Sequence, residues 1–258
     1  SIIGQTIDYG PYGWLDDYNP NWTPNTTDAQ HKRYRFGQQP NIALWDLVKL
    51  ANALYPLIND VQPLEQILDE FKDNYKVKYL KMMKTKLGIF RELSDDYRLI
   101  QDLERVLPLT EVDMTIFFRN LADFDTQKVL DKNLDSDDPS FLANLLDAFY
   151  KPTQIENETI FKWREWVINY SLRLKQEDIS AEERKIKMNA VNPKYVLRNY
   201  MAQLAIEAAD QSDYSVLEEL FEMLKMPYTD QPKNDKWFVK RPDWARTKVG
   251  CSMLSCSS

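Results

Sequence analysis

The sequence predicts a mainly α-helical protein, on three observations. Apolar residues recur at three- and four-residue steps through most of the chain after Pro40. Serine, threonine and aspartate stand at the starts of those stretches, where a helix needs a side chain to accept its free N–H groups. Of the six glycines, four fall by residue 37, so a phosphate-cradling glycine loop has nowhere to sit downstream.

Residues 1–40 differ from the rest. They hold turn signals (Tyr9-Gly10-Pro11, Tyr12-Gly13, Asn19-Pro20, Thr23-Pro24-Asn25) and no helical period, with Tyr9, Tyr12, Trp14 and Trp22 arguing for an ordered loop. Residues 41–258 read as a helical body. Its first helix carries Ala43, Leu44, Leu47, Leu50, Ala51, Leu54, Leu57 and Ile58 on one broad face expected to be buried, with Pro56 kinking or ending it near Tyr55. A second runs from about Leu64 to Leu87, with Ile67, Phe71, Tyr75 and Met83 inward and Gly88 as its stop. Ser94-Asp95-Asp96 caps a third that ends at Pro108, and Thr110 caps a fourth with Met114, Phe117, Phe118 and Leu121 inward. Residues 130–139 are acidic and read as a surface loop, followed by a short helix over 141–150.

The stretch from Asn157 to Leu174 predicts a long helix with Phe161, Trp163, Trp166, Val167 and Tyr170 in the core. Ser180 with Glu183, and Ser215 with Glu218, match the capping box. Between them Pro193 is expected to start a helix carrying Tyr195, Leu197, Tyr200, Met201, Leu204 and Ile206. The tail after Pro227 reads as extended chain or short turns.

Composition removes several functions. No apolar run is long enough to cross a bilayer, and the N-terminus lacks a signal-peptide pattern. A net charge of -7 with scattered basic residues disfavours nucleic acid. His31, the one histidine, rules out a multi-histidine metal cluster. Two cysteines, Cys251 and Cys256, within the last eight residues fit a reducing compartment: the cytoplasm if bacterial, the mitochondrion if eukaryotic. The chain starts at Ser1 without methionine, and we expect it to be part of a longer one.

The stretch that carries chemistry is Ile7-Asp8-Tyr9-Gly10-Pro11. An aspartate before an aromatic and a glycine suits Mg²⁺ held against nucleotide phosphates: the carboxylate is a hard oxygen ligand, and the glycine lets the backbone turn sharply. Taken alone, the tripeptide reads more simply as a turn aspartate at a strand end. Its context reverses that. Ser1 to Asp16 closely resembles the segment after the catalytic loop in the selenoprotein O (YdiU-like) family. The resemblance continues through Asn25 to Asp28, Arg33-Tyr34-Arg35-Phe36 and Gln39-Pro40-Asn41-Ile42-Ala43-Leu44-Trp45. It returns in Asn192-Pro193-Lys194-Tyr195-Val196-Leu197-Arg198-Asn199-Tyr200, Ala205-Ile206-Glu207-Ala208-Ala209, Arg241-Pro242-Asp243-Trp244-Ala245 and the final Ser255-Cys256-Ser257-Ser258.

The resemblance implies a kinase-like C-lobe joined to family-specific C-terminal helices, with residues 1–40 as the metal-binding segment and an activation-like loop. It implies transfer of AMP from ATP to Ser, Thr or Tyr hydroxyls of protein substrates, with Asp8 binding Mg²⁺ or Mn²⁺ and, through it, ATP. The family's base aspartate, metal-binding asparagine and phosphate clamp lie before the residue matched by Ser1, so no catalytic base is expected within this chain, which alone is expected to be inactive. A pseudokinase scaffold and a γ-phosphate-transferring kinase are the alternatives. Many relatives carry a cysteine at the position of Pro24 that could pair with the C-terminal thiol; selenocysteine stands at the position of Cys256 in eukaryotic ones. Here the loop partner is absent, so Cys256 and Cys251 are the redox candidates, with two ordinary tail thiols as the simpler reading.

Three further groups stand out. His31, Lys32, Arg33 and Arg35 form a basic cluster that reads as solvated surface, with substrate docking the alternative. Lys194 and Arg198, four residues apart, either support a nucleotide or pair with acids such as Glu207 or face solvent. Trp163 and Trp166 read as core aromatics, not a base-stacking platform.

Overall fold

The computed structural model describes residues 13–23, 26–131 and 138–251. The chain divides into two compact units, one built chiefly from Asn19–Met82 and the other from Trp14–Tyr18 with Met83–Ser252. Among the described residues it is helical, with only isolated β-bridges, and no helix is long and apolar enough to cross a membrane.

In the first unit, helix α1 (Gln39–Ile58) follows a 3-10 turn at Phe36–Gln38, with Pro40 in its first turn where a missing N–H costs nothing. Pro56 does not end it near Tyr55. The helix runs on to Ile58 because Pro56 lies in the last turn, and Asn59, in the left-handed region at φ 52, closes the end by donating its N–H to the Tyr55 carbonyl at 2.7 Å. The expected burial of its apolar face is not seen: no residue of α1 is buried, and Leu57 is 82% exposed. A stripe is buried only by an opposing element, and among the described residues α1 packs chiefly on the short turn that precedes it. Helix α2 (Gln62–Lys86) is likewise solvated at Ile67 and Tyr75 and reaches a core only at Met83 and Lys84.

The second unit holds a packed core. Gly88 stops α2 as expected: its φ of 71 lets the Ile89 N–H turn back to the Lys84 carbonyl at 2.9 Å. Helix α3 (Asp96–Val106) packs on α6 (Asn157–Leu174). Trp163, Trp166 and Tyr170 fill the space with Phe117 and Phe149, and the Trp166 and Tyr170 rings stack at 5.0 Å. The two tryptophans are therefore core, as read; Phe161 faces water instead. The predicted cap on α3 is not made. Asp96 is buried, and its carboxylate accepts from Arg173 Nε at 2.5 Å, the Leu93 N–H at 3.1 Å and Lys84 Nζ at 3.1 Å.

Asp113, not Thr110, caps helix α4 (Met114–Leu121), accepting the Ile116 N–H at 3.0 Å while Thr110 is extended. Helix α5 (Thr126–Asp131) follows, and residues 132–137 of the expected acidic loop lie outside the described residues. The short helix expected over 141–150 is a 3-10 segment, Pro139–Ala148, broken at Ala143. Ser180 caps α7 (Ala181–Asn189) by accepting the Glu183 N–H at 3.1 Å, which is half of the expected capping box; the Glu183 carboxylate turns to Lys187 instead.

Pro193 does not start a helix. The N–H groups of Lys194 and Tyr195 both turn to the Pro227 carbonyl, Arg198 is extended, and α8 begins only at Asn199 (Asn199–Asp210). Ser215 is the first residue of α9 (Ser215–Leu224), not its cap. The tail forms two 3-10 turns, Pro232–Trp237 and Asp243–Arg246.

Candidate functional site

Asp8 and its Asp-Tyr-Gly segment, and Cys256, lie outside the described residues. The structure describes the chain from Gly13 onward, and there the second unit grips it. The Asn199 side chain clasps Trp14 with a pair of hydrogen bonds, accepting its N–H at 3.1 Å and donating to its carbonyl at 3.0 Å. Tyr18 N–H donates to the Val112 carbonyl, Met114 N–H to the Asp16 carbonyl, and Asp17 bridges Asp113 in antiparallel register. Backbone bonds thus fix residues 14–18 to the entry of α4.

Under this segment lies a buried charge network. Arg198 Nη1 donates to Asp16 Oδ1 at 3.0 Å and to Asp113 Oδ2 at 2.5 Å, and its Nη2 donates to Asp113 Oδ1 at 3.0 Å. The fork geometry of a guanidinium matches a carboxylate, so this pair is directional as well as charged. Arg241 reaches Asp16 Oδ2 at 3.5 Å and Glu111 at 2.9 Å, and Arg246 meets the same Glu111 oxygen at 2.5 Å. Tyr150 sits among them, its hydroxyl accepting the Arg241 N–H at 3.1 Å and the Arg246 guanidinium lying 4.9 Å over its ring. Asp16, Glu111 and Asp113 balance Arg198, Arg241 and Arg246, and Asp17 adds a longer contact to Arg241 at 3.8 Å.

Burial dominates the electrostatics. It pushes the Asp16 and Asp17 carboxyls up, against the pull of Arg198 and Arg241 on Asp16. It also raises the Tyr150 phenol and lifts Tyr200 to about 12. Asp16, Asp113 and Glu111 each accept a hydrogen bond from an arginine, and Asp17 has the longer ionic contact. The network is an anchor for residues 14–18; in the sequence Asp8 lies eight positions before Asp16.

Sequence reasoning singled out Arg198 but not its partners. It pairs with acids, as expected, but these are Asp16 and Asp113 in the buried interior and not Glu207, which pairs with Lys248. Lys194 pairs with Asp230 and Asp235. Asp113 was detectable as an aspartate just before an apolar run; Glu111, Tyr150 and Arg246 carry no local signal. Cys251 is buried with a free thiol, and burial pushes its pKa up. His31 and Lys32 are exposed in the first unit. Among the described residues no cluster of His, Cys, Asp and Glu is arranged to hold a metal ion. A cavity of about 1030 Å³, lined by Ile116, Leu146, Ile160 and Phe238 with Asp147 and Lys240 as its charges, shows no paired nucleophile and base.

Similar proteins are named as protein nucleotidyltransferases. The chain is 54% identical to Protein nucleotidyltransferase YdiU of Flavobacterium johnsoniae, over all of this chain and 48% of that protein. It is 48% identical to the protein of the same name from Aromatoleum aromaticum, over all of this chain and 47% of that one, and 47% identical to that of Rhodopirellula baltica, over all of this chain and 48% of that one. The family model described as "Protein adenylyltransferase SelO" matches residues 1–225. The chain belongs to the SelO (YdiU) family. It spans about half the length of the curated relatives it matches.

Proposed function

We propose that the full-length protein moves AMP from ATP to Ser, Thr or Tyr hydroxyls of other proteins, on a protein-kinase-like fold whose C-terminal part is this chain. The observation that carries the reading is the family match over residues 1–225, which takes in Ile7-Asp8-Tyr9-Gly10.

In this reading Asp8 binds Mg²⁺ or Mn²⁺. The donor chemistry fits: a carboxylate is a hard ligand, and the next acids along the chain, Asp16 and Asp17, are taken by arginines and do not compete. When bound, the cation neutralises phosphate charge around the α-phosphorus. This chain's own part is positional. Asn199 holds Trp14 by its backbone and Arg198 holds Asp16, six and eight positions after Asp8 in the sequence. One carboxylate is not a catalytic site, so the base and phosphate clamp belong to the rest of the full-length protein, and the 258-residue chain alone transfers nothing.

The test is transfer by the full-length protein from ATP labelled at the α- or the γ-phosphate. We expect α-label on the acceptor protein, lost in Asp8→Ala and absent with the 258-residue chain alone. Transfer of γ-label would make it a phosphotransferase, and transfer of neither label would make it a scaffold; either result overturns the proposal.

A further inference from the structure

Most cations of the second unit described above are matched by carboxylates. A loop in the first unit is the opposite case. From Ala29 to Trp45 the chain has no acidic residue, yet it carries His31, Lys32, Arg33 and Arg35, in a protein of net charge -7. Acids stand at both edges, Asp28 and Asp46. Asp28 is buried and engaged: its carboxylate accepts the Arg33 N–H at 2.8 Å and the Tyr34 N–H at 2.7 Å, and its carbonyl accepts the Lys32 N–H at 2.7 Å. Those bonds hold Lys32 in the left-handed region at φ 49, which a lysine does not adopt without support. The far end is tied by Phe36 N–H to the Trp22 carbonyl and Gly37 N–H to the Pro20 carbonyl, both at 2.9 Å. The loop therefore presents its charges from a defined backbone.

The cations gather around exposed aromatics. The Arg33 guanidinium lies 4.2 Å over the Trp45 ring and 5.6 Å from that of Tyr34, and Lys49 Nζ lies 4.9 Å over Trp45. Tyr34 is 47% and Trp45 42% exposed. Among the described residues, no carboxylate forms an ion pair with Lys32, Arg33, Arg35 or Lys49. Uncompensated charge beside exposed rings, on an ordered loop, is the complement of an acidic, partly apolar peptide. A polyanion of nucleic-acid length fits less well, since its phosphates need a stripe of cations, and the patch is local on an acidic protein.

We propose that this loop docks an acidic segment of a protein partner, with carboxylates against Lys32, Arg33 and Arg35 and a side chain lying on Tyr34 and Trp45. That the partner is the substrate to be modified rests on the function proposed above; the docking itself does not.

The experiment uses full-length protein and a fluorescein-labelled Glu-rich peptide containing one tyrosine, read by anisotropy. The wild type should bind it, more weakly as salt rises, and Lys32→Glu/Arg33→Glu should bind roughly tenfold more weakly. Lys72→Glu on α2, a control, should not differ, and circular dichroism should report every variant folded. Arg33→Ala separates charge from folding if the double variant misfolds; it should lose several-fold. No saturable binding at millimolar peptide, unchanged affinity in the variants, or tighter binding of an oligonucleotide of equal charge would each overturn the proposal. The two readings fail separately: peptide binding lost in the variants but no label transferred sinks the enzyme assignment alone, while normal transfer with charge-insensitive binding sinks the docking site alone.

Discussion

Arg198→Met should be among the most damaging single changes in the second unit. The substitution keeps an unbranched apolar stem and removes the charged guanidinium, leaving Asp113, fully buried, without its bidentate partner and Asp16 with the 3.5 Å contact to Arg241. Removing one partner of a buried ion pair costs about 3–5 kcal/mol, and for a unit of this size that lowers Tm by roughly 6–20 °C. The loss should also depend on pH, with a sign that follows from Asp16. Its folded pKa is raised by burial, with Arg198 opposing. A carboxyl with a raised folded pKa binds more protons folded than unfolded between the two values, so its contribution to stability falls as pH rises through that window. Without Arg198 the folded pKa climbs further, so the penalty is largest at neutral pH and shrinks as acid protonates Asp16. Thermal unfolding followed by tryptophan fluorescence at pH 7 and pH 5 measures both. A Tm within 2 °C of wild type, or a penalty equal at the two pH values, would refute the view that buried charge pairing holds this segment. Asp113→Asn combined with Arg198→Met should recover part of the loss, because it removes the orphaned charge.

Other expected outcomes follow from single contacts. Gly88→Ala should lower the urea midpoint by an amount corresponding to about 1–3 kcal/mol, since φ is 71 there and a Cβ would stand 2.6 Å from Met188 Sδ. Ser180→Ala should cost about 1 kcal/mol by removing the cap of α7, whereas Ser215→Ala should be near neutral, because Ser215 is not the cap residue of α9; thermal unfolding separates the two. Trp166→Phe should destabilise more than Trp163→Phe by about 1 kcal/mol: the Trp166 indole donates to the Leu99 carbonyl at 3.1 Å, and that of Trp163 has no acceptor.

How much of this was legible in the sequence depends on the range of the interaction. The α6 core was readable because Trp163, Trp166 and Tyr170 repeat at helical spacing, and the Gly88 stop because a left-handed terminus favours glycine. The α4 cap was assigned to Thr110 because a local rule ranks nearby candidates only by residue type; Asp113 fills the role with its carboxylate also held by Arg198, 85 residues away. The start of α8 was placed at Pro193 for a similar reason. Nothing local shows that the Pro227 carbonyl draws off the N–H groups of Lys194 and Tyr195. The apolar face of α1 shows the converse limit: a period predicts which side of a helix is apolar, not whether anything covers it.

By itself, then, the sequence determined the helical class, the position of most helices and the family. These reside in local periodicity and in motifs whose residues are neighbours along the chain. Tertiary structure alone decided that Arg198 is an anchor and not a surface cation, since its partner Asp16 is 182 positions distant. It likewise decided that, among the described residues, Arg33 and Lys49 beside Trp45 meet no carboxylate while Arg241 and Arg246 beside Tyr150 do. Charge pairing is set by distance through space and by burial, and neither is written in the spacing of residues along one chain.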